Sequence, residues 1–222
     1  MNKGHRQRMR ERIDKHGMEG LSDHEILEYL LYFVQPRVNT NDAAHALINT
    51  FSAINRVFDS DQTELAKVGG IGPQSAQFLA LIPEICRRYY VSRHDKRERF
   101  ISLGRVVEYI DALYLGVMEE TAMILLLDAE KTLIASKVIA KGNMEEVSVH
   151  NREIVSAVLA HNAVYVVFSH NHPSNDPYPS AEDALLTNHL YVTLKSIGAA
   201  LMDHVIICPN GNFYSFSKEN RL

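Results

Sequence analysis

Two histidines one residue apart, His170 and His172, lie in the stretch Ser169-His-Asn-His-Pro-Ser-Asn-Asp-Pro-Tyr-Pro-Ser-Ala-Glu-Asp183, directly after the apolar run Ala163 to Phe168. A neutral imidazole offers a nitrogen lone pair, and residues i and i+2 at a strand end point to the same side, so both rings can address one point. Asp183, with ten residues between it and His172, can bring a carboxylate to that point from the first turn of a following helix. Two nitrogens and one oxygen with a fourth position open make the catalytic form of a zinc site, not the closed structural form. Zinc so held lowers the pKa of bound water to roughly 7. A plainer reading covers part of this stretch. Ser180-x-x-Asp183 is also a helix N-terminal signature, with serine as the cap and aspartate in the first turn, where the helix dipole favours it. That accounts for Ser180 and Asp183 and leaves His170 and His172 unexplained.

The elements that must position these groups fall into two parts. Residues 1–91 read as helical. Ser22-Asp-His-Glu25 is a capping box, and it opens the apolar stretch Ile26 to Val34, which stops at Gln35-Pro36 because a residue before proline leaves the helical region. A further helix is expected over Asn41 to Thr50. Residues 92–100 begin as a charge run without apolar period and read as a linker. Over 101–222 the pattern changes. A helix at Gly104 to Tyr114 precedes a strand at Ala122 to Leu127, a turn at Asp128 to Lys131 and a strand at Thr132 to Ala140. A helix at Asn151 to His161, a strand at Val164 to Phe168, a helix at Ser180 to Ile197 and strands at Ala200 to Ile207 and Phe213 to Phe216 follow. Strands alternating with helices imply an α/β or α+β layered domain.

The whole chain narrows the function classes. No run approaches the roughly 18 apolar residues of a membrane span, and the charged start Met-Asn-Lys-Gly-His-Arg lacks the apolar stretch of a secretion signal. Cys86 and Cys208 are far apart and outside any Cys-x-x-Cys, which suits free thiols of a reducing cytoplasm. Charge is uneven: residues 1–99 carry a net +2 and the remainder −6. The basic residues Lys3, Arg6, Arg8, Arg10, Arg12 and Lys15 could meet phosphate, or could form one solvated helix face.

His170-x-His172-Pro173-x7-Ser180-x-x-Asp183 resembles the JAMM motif of the JAB/MPN metalloproteases at every fixed position. With the preceding Ala-Val-Tyr-Val-Val-Phe strand, the N-terminal Gly-His-Arg-x-Arg-x-Arg-Glu-Arg, Leu21-Ser-Asp-His-Glu25 and Gly70-Ile-Gly72, the chain resembles the RadC family over nearly its whole length. Asn175 stands where that family usually has glycine and Asn151 where proline is usual. Asparagine tolerates a left-handed backbone nearly as well as glycine, so the turn at 175 should survive. The resemblance implies an α-helical N-terminal domain with a helix-hairpin-helix, then an α/β (α+β) JAB/MPN domain of cytidine-deaminase-like architecture. It implies that His170, His172 and Asp183 hold zinc and that Ser180 supports an oxyanion. It also implies a glutamate before the strand at Ala122 as general base. Glu120 fits the family offset better, and Glu119 stays open.

His150, His161, His189 and His204 lack the motif's spacing and read as surface or core histidines. The letters His-Asn-His do not make an HNH nuclease, whose residues are dispersed, and zinc deaminases need His-x-Glu with Pro-Cys-x-x-Cys. Val68-Gly-Gly-Ile-Gly-Pro-Gln-Ser-Ala76 resembles a helix-hairpin-helix signature. Gly70 and Gly72 would let the backbone approach a phosphate, and Pro73 suits a first helical position with free amides beside it. Equally, the glycines could merely turn two packed helices.

The reading that follows is a zinc metalloprotease-like hydrolase acting on a peptide or isopeptide bond. DNA at the N-terminal domain and homo-oligomers are the partners considered, membranes are excluded, and the family's association with DNA repair is an inherited expectation. The rivals are a DNA-binding module with structural zinc and a metal-dependent nuclease.

Overall fold

Capping chemistry and breakers divide the first part of the chain into helices. The computed structural model describes residues 3–94, 99–142 and 147–222, without the side chains of Lys3 and of residues 147–150. Helix α1 spans Lys3–His16. Ser22 opens α2 (Asp23–Val34), its amide donating to the Glu25 carboxylate at 2.8 Å, and the helix ends before Gln35-Pro36 as expected. Helices α3 (Asn41–Phe51), α4 (Ile54–Phe58), α5 (Gln62–Leu65) and α6 (Pro73–Arg93) follow. Leu27 and Leu31 of α2 meet Ala44 and Leu47 of α3, Leu65, and Leu79 of α6 in one fully buried cluster. The short helices α4 and α5 carry too few residues for a 3.6-residue period to show in the sequence.

The chain divides into two compact units, Met1–Cys86 and Arg87–Leu222. The linker expected at 92–100 is shorter than its charge run suggested. Ser92 and Arg93 close α6, because nothing in Tyr89 to Arg93 breaks a helix. Arg99 pairs with Thr132 in an isolated bridge, and Phe100 is buried against Tyr109. Residues 95–98 lie outside the described ones.

The second unit is built on a five-stranded sheet among the described residues. Helix α7 (Leu103–Tyr114) leads to β1 (Thr121–Leu127) and β2 (Leu133–Lys141); then come α8 (Val147–His161), β3 (Tyr165–Asn171), α9 (Ala181–Ser196), β4 (Ala200–Ile207) and β5 (Phe213–Ser215). The order is β2-β1-β3-β4-β5; only β3 and β4, joined through α9, run parallel. β1 is apolar at nearly every position because both its faces are covered. Ala122, Ile124 and Leu126 pack with Ile154 and Val158 of α8 and with α9, whereas Met123, Leu125 and Leu127 pack against Val106 and Ile110 of α7. The result is a helical N-terminal region followed by a three-layer α/β domain, the architecture expected from the alternation of elements. Among the described residues no helix is long and apolar enough to cross a membrane.

Candidate metal centre

β3 carries His170 into the interior. It sits opposite Ala122 of β1 and Ile206 of β4 and is fully buried. His172 lies one residue past the strand, its amide still donating to the Ile207 carbonyl at 2.8 Å. The period of two therefore holds to His172, and the two Nε2 atoms stand 2.9 Å apart. The first turn of α9 adds Asp183, with Oδ1 3.1 Å from His170 Nε2 and Oδ2 3.7 Å from His172 Nε2. Zinc–nitrogen bonds of about 2.0–2.1 Å place tetrahedral ligands roughly 3.3 Å from one another. The three donors bracket that value.

Ser180 is the N-cap of α9. Its amide and its hydroxyl both donate to Asp183 Oδ2, at 2.8 and 2.6 Å, and the Asp183 amide donates back to Ser180 Oγ at 3.1 Å. The capping and ligand readings of Asp183 thus hold together, because one oxygen is fixed by the cap while the other faces His170. Burial alone would raise the Asp183 pKa. The His170 ring beside it and the hydrogen bonds from Ser180 outweigh it and hold the carboxyl well below the usual carboxylate range.

The proton count favours a cation. His172 Nδ1 lies 2.7 Å from the Asp176 carbonyl oxygen, which can only accept. A neutral His172 therefore carries its proton on Nδ1 and turns a bare Nε2 towards His170 Nε2 and a carboxylate. Acceptors crowded at these distances are satisfied by a shared positive charge, and the donor set of nitrogens and carboxylate fits zinc. The loop between the ligands holds its shape as expected at Asn175, which adopts φ 63° and accepts from the Asn210 amide at 3.3 Å.

The acidic pair before β1 is split by the strand's alternation. A carboxylate oxygen of Glu120 lies within 4.8 Å of ligand nitrogens of both His170 and His172. Glu119 turns elsewhere: its Oε1 sits 3.0 Å from where a Cβ of Gly142 would be. Two overlapping donor sets thus share the histidines. Asp183 is buried and held at 3.1 and 3.7 Å from the two ring nitrogens, and Glu120 is half-buried.

Three residues outside the motif support this arrangement. Asn171, between the histidines and so on the opposite face, accepts from the Thr121 amide at 2.7 Å. Its Nδ2 donates to the Val117 and Glu119 carbonyls at 3.2 Å each, which pins the loop that presents Glu120. His204, expected only as a surface or core histidine, is fully buried in β4 with Nε2 3.0 Å from His170 Nδ1, and its Nδ1 lies 2.6 Å from Thr187 Oγ1. The sequence signal for Asn171 and His204 was a polar residue inside an apolar strand. His189 is exposed, His161 is half-buried, and the side chain of His150 lies outside the described ones.

In the first unit, Gly70 adopts φ 84°, and a Cβ there would stand 3.0 Å from Ala43 Cβ, so packing on α3 already requires that glycine. Its carbonyl accepts from Gln35 Nε2 at 2.8 Å. Gly72 has nothing within 4 Å of where its Cβ would be.

Residues 100–222 match the RadC-like JAB domain, and residues 2–77 match the UPF0758 N-terminal family. A UPF0758 protein of Pseudoalteromonas translucida is 32% identical over 201 residues, covering 90% of each chain. One of Fusobacterium nucleatum is 32% identical over 225 residues, covering 98% of this chain and 97% of the relative. One of Herminiimonas arsenicoxydans is 33% identical over 216 residues, covering 97% and 96%. With both parts matched and relatives aligned almost end to end, the chain belongs to the RadC-like family of UPF0758 proteins, its second unit a JAB domain with a candidate metal site.

Proposed function

We propose that the chain is a zinc-dependent hydrolase of peptide or isopeptide bonds. The observation that carries this reading is the convergence of His170, His172 and Asp183 at 2.9–3.7 Å with Glu120 within 4.8 Å of both ring nitrogens. His170, His172 and Asp183 would hold zinc, which when bound makes water nucleophilic at neutral pH and polarises a carbonyl. Glu120 is the general base: it accepts the proton of the attacking water and passes it to the leaving amine as the C–N bond breaks. Asp183, kept ionised by its hydrogen bonds, contributes negative charge to the ligand set at any physiological pH. Ser180 would reach the carbonyl oxygen by turning its hydroxyl away from Asp183 Oδ2; its amide would still hold that oxygen at 2.8 Å.

We include DNA as a partner of the N-terminal unit. The open space over Gly72 and the helix start at Pro73 support that part of the reading, and backbone contact of this kind would be independent of sequence.

The tests are direct. Metal analysis is expected to give about one zinc per chain, lost in His172→Ala. Glu120→Gln is expected to keep zinc and to lose hydrolysis in a panel of peptide-linked and DNA substrates, run with and without chelator. Hydrolysis that persists in this variant removes Glu120 as base, and cleavage confined to DNA substrates favours the nuclease reading. DNA affinity that falls steeply with salt and maps to the first unit supports the hairpin role.

A further inference from the structure

His204 satisfies both of its ring nitrogens inside the protein, and the direction of each hydrogen bond can be deduced from one end. Thr187 Oγ1 lies 2.6 Å from the Asp183 carbonyl oxygen, which can only accept, so the single hydroxyl proton is committed there. Towards His204 Nδ1, also 2.6 Å away, the same oxygen can then only accept. His204 Nδ1 therefore carries a proton. The ring is fully buried, lies parallel to Phe216 at 4.7 Å, and meets Phe168 edge-on at 4.8 Å. Enclosure of the whole ring between two phenyl groups disfavours the charge that a second proton would bring. His204 Nε2 is bare, and the partner 3.0 Å away, His170 Nδ1, must be the donor. A neutral His170 with its proton on Nδ1 has a free lone pair on Nε2, the atom that faces His172 and Asp183.

We propose that His204, oriented through Thr187 and the Asp183 carbonyl, is a positioning residue that fixes His170 in the tautomer whose Nε2 is open to a metal. The inference deepens the zinc reading and rests on it. The chain of bonds begins and ends on ligand residues, since Thr187 is anchored to Asp183 itself. The register of α9 and the ring of His170 are thereby set by one relay, and a carbonyl in place of the His204 nitrogen would serve the same purpose.

The test uses the full-length protein. Nitrogen-15 NMR of the metal-stripped chain, above the imidazole titration range, is expected to show His170 protonated on Nδ1; its signals are identified by their loss in His170→Ala. His204→Phe, which keeps shape and removes the acceptor, is expected to weaken zinc binding 10- to 100-fold in competition with a chromophoric chelator. His204→Gln, whose side-chain oxygen can accept from His170 while its amide donates to Thr187, is expected to restore affinity to within a few-fold. Thermal unfolding followed in parallel separates this from simple loss of packing, which would weaken both variants alike. Should His204→Phe fail to fold, Thr187→Val removes the relay without altering ring packing and is expected to populate the other His170 tautomer. Protonation of His170 on Nε2 in the parent, or a folded His204→Phe with unchanged zinc affinity, overturns the proposal. If the parent binds no zinc, the metal reading falls by itself, while the tautomer measurement still decides the role of His204.

Discussion

Replacing Asn171 by alanine removes the clamp under the loop that presents Glu120. The side chain is 2% exposed and makes three hydrogen bonds, accepting from the Thr121 amide and donating to the Val117 and Glu119 carbonyls. A typical internal hydrogen bond contributes about 1 kcal/mol net, whereas a buried donor left without a partner costs about 1–3 kcal/mol. The Thr121 amide belongs to a residue only 1% exposed and has nowhere to turn. Glu119 is exposed and Val117 half-buried, so water can reach their carbonyls and recover part of the loss. Together these give a destabilisation of about 2–4 kcal/mol, concentrated at the start of β1.

Urea unfolding measures the total, and hydrogen exchange over residues 117–123 locates it, because the Thr121 amide should lose its protection first. The zinc binding proposed for His170, His172 and Asp183 should persist, since none of the Asn171 bonds reaches them. Asn171→Asp should be no better than alanine: it keeps an acceptor for Thr121 but turns a second acceptor on two carbonyls. A variant within about 0.5 kcal/mol of the parent, with exchange at 117–123 unchanged, would refute the clamp and with it this account of how Glu120 is held.

Two further outcomes test the N-terminal unit. Gly70→Ala should cost about 1–3 kcal/mol, since its backbone is left-handed and the new Cβ meets Ala43 Cβ at 3.0 Å, while Gly72→Ala should change stability far less; thermal unfolding of both variants checks the contrast. The Arg12 guanidinium, hydrogen-bonded to Glu25 at 2.7 Å, holds that carboxyl down from 4.5 to about 2, so the pair stabilises the fold above pH 4.5 and its contribution fades as pH falls towards 2. With Arg12 44% exposed, screening reduces the contribution to about 1 kcal/mol. Arg12→Ala should flatten the acid side of the stability profile by that amount, and an unchanged profile would remove the pair from the account.

The elements around the site were legible because their sequence signals are local. The capping residues Ser22 and Ser180, the stop at Gln35-Pro36 and the two-sided apolar run of β1 each depend on neighbours a few positions away. The linker was misjudged for the same reason. Charge density marks solvent exposure, but Phe100 is anchored by packing on Tyr109, and no nearby residue in the sequence announces that. At the site, the motif named the groups that converge and was silent about those behind them. His204 bonds to His170 across 34 positions and Asn171 to the Thr121 amide across 50, distances over which spacing carries no information without the sheet order. The family offset favoured Glu120 over Glu119, and only the structure shows that Glu119 turns towards Gly142.

That sheet order also explains why the groups meet. β1 and β3 are antiparallel neighbours, so the residue before β1 begins must lie beside the residues where β3 ends, with Ala122 opposite His170. β3 and β4 are parallel, and the crossover through α9 returns the first turn of that helix to the same end of the sheet, bringing Asp183 with it. Side chains alternate along β3, so His170 shares its face with Phe168 and α9, while Ser169 and Asn171 face α7, where Tyr114 Oη lies 2.9 Å from the Ser169 carbonyl. A slip of one residue between β1 and β3 would exchange those faces, turning His170 towards α7 and Asn171 towards Asp183. The apolar positions of β3 are what prevent it: Val166 and Phe168 fill one core and Val167 the other, and all are essentially unexposed. The packing that stabilises the sheet is therefore also what aims the candidate ligands, and a substitution that loosens the apolar positions of β3 should show itself at the candidate metal centre even where it touches none of those residues.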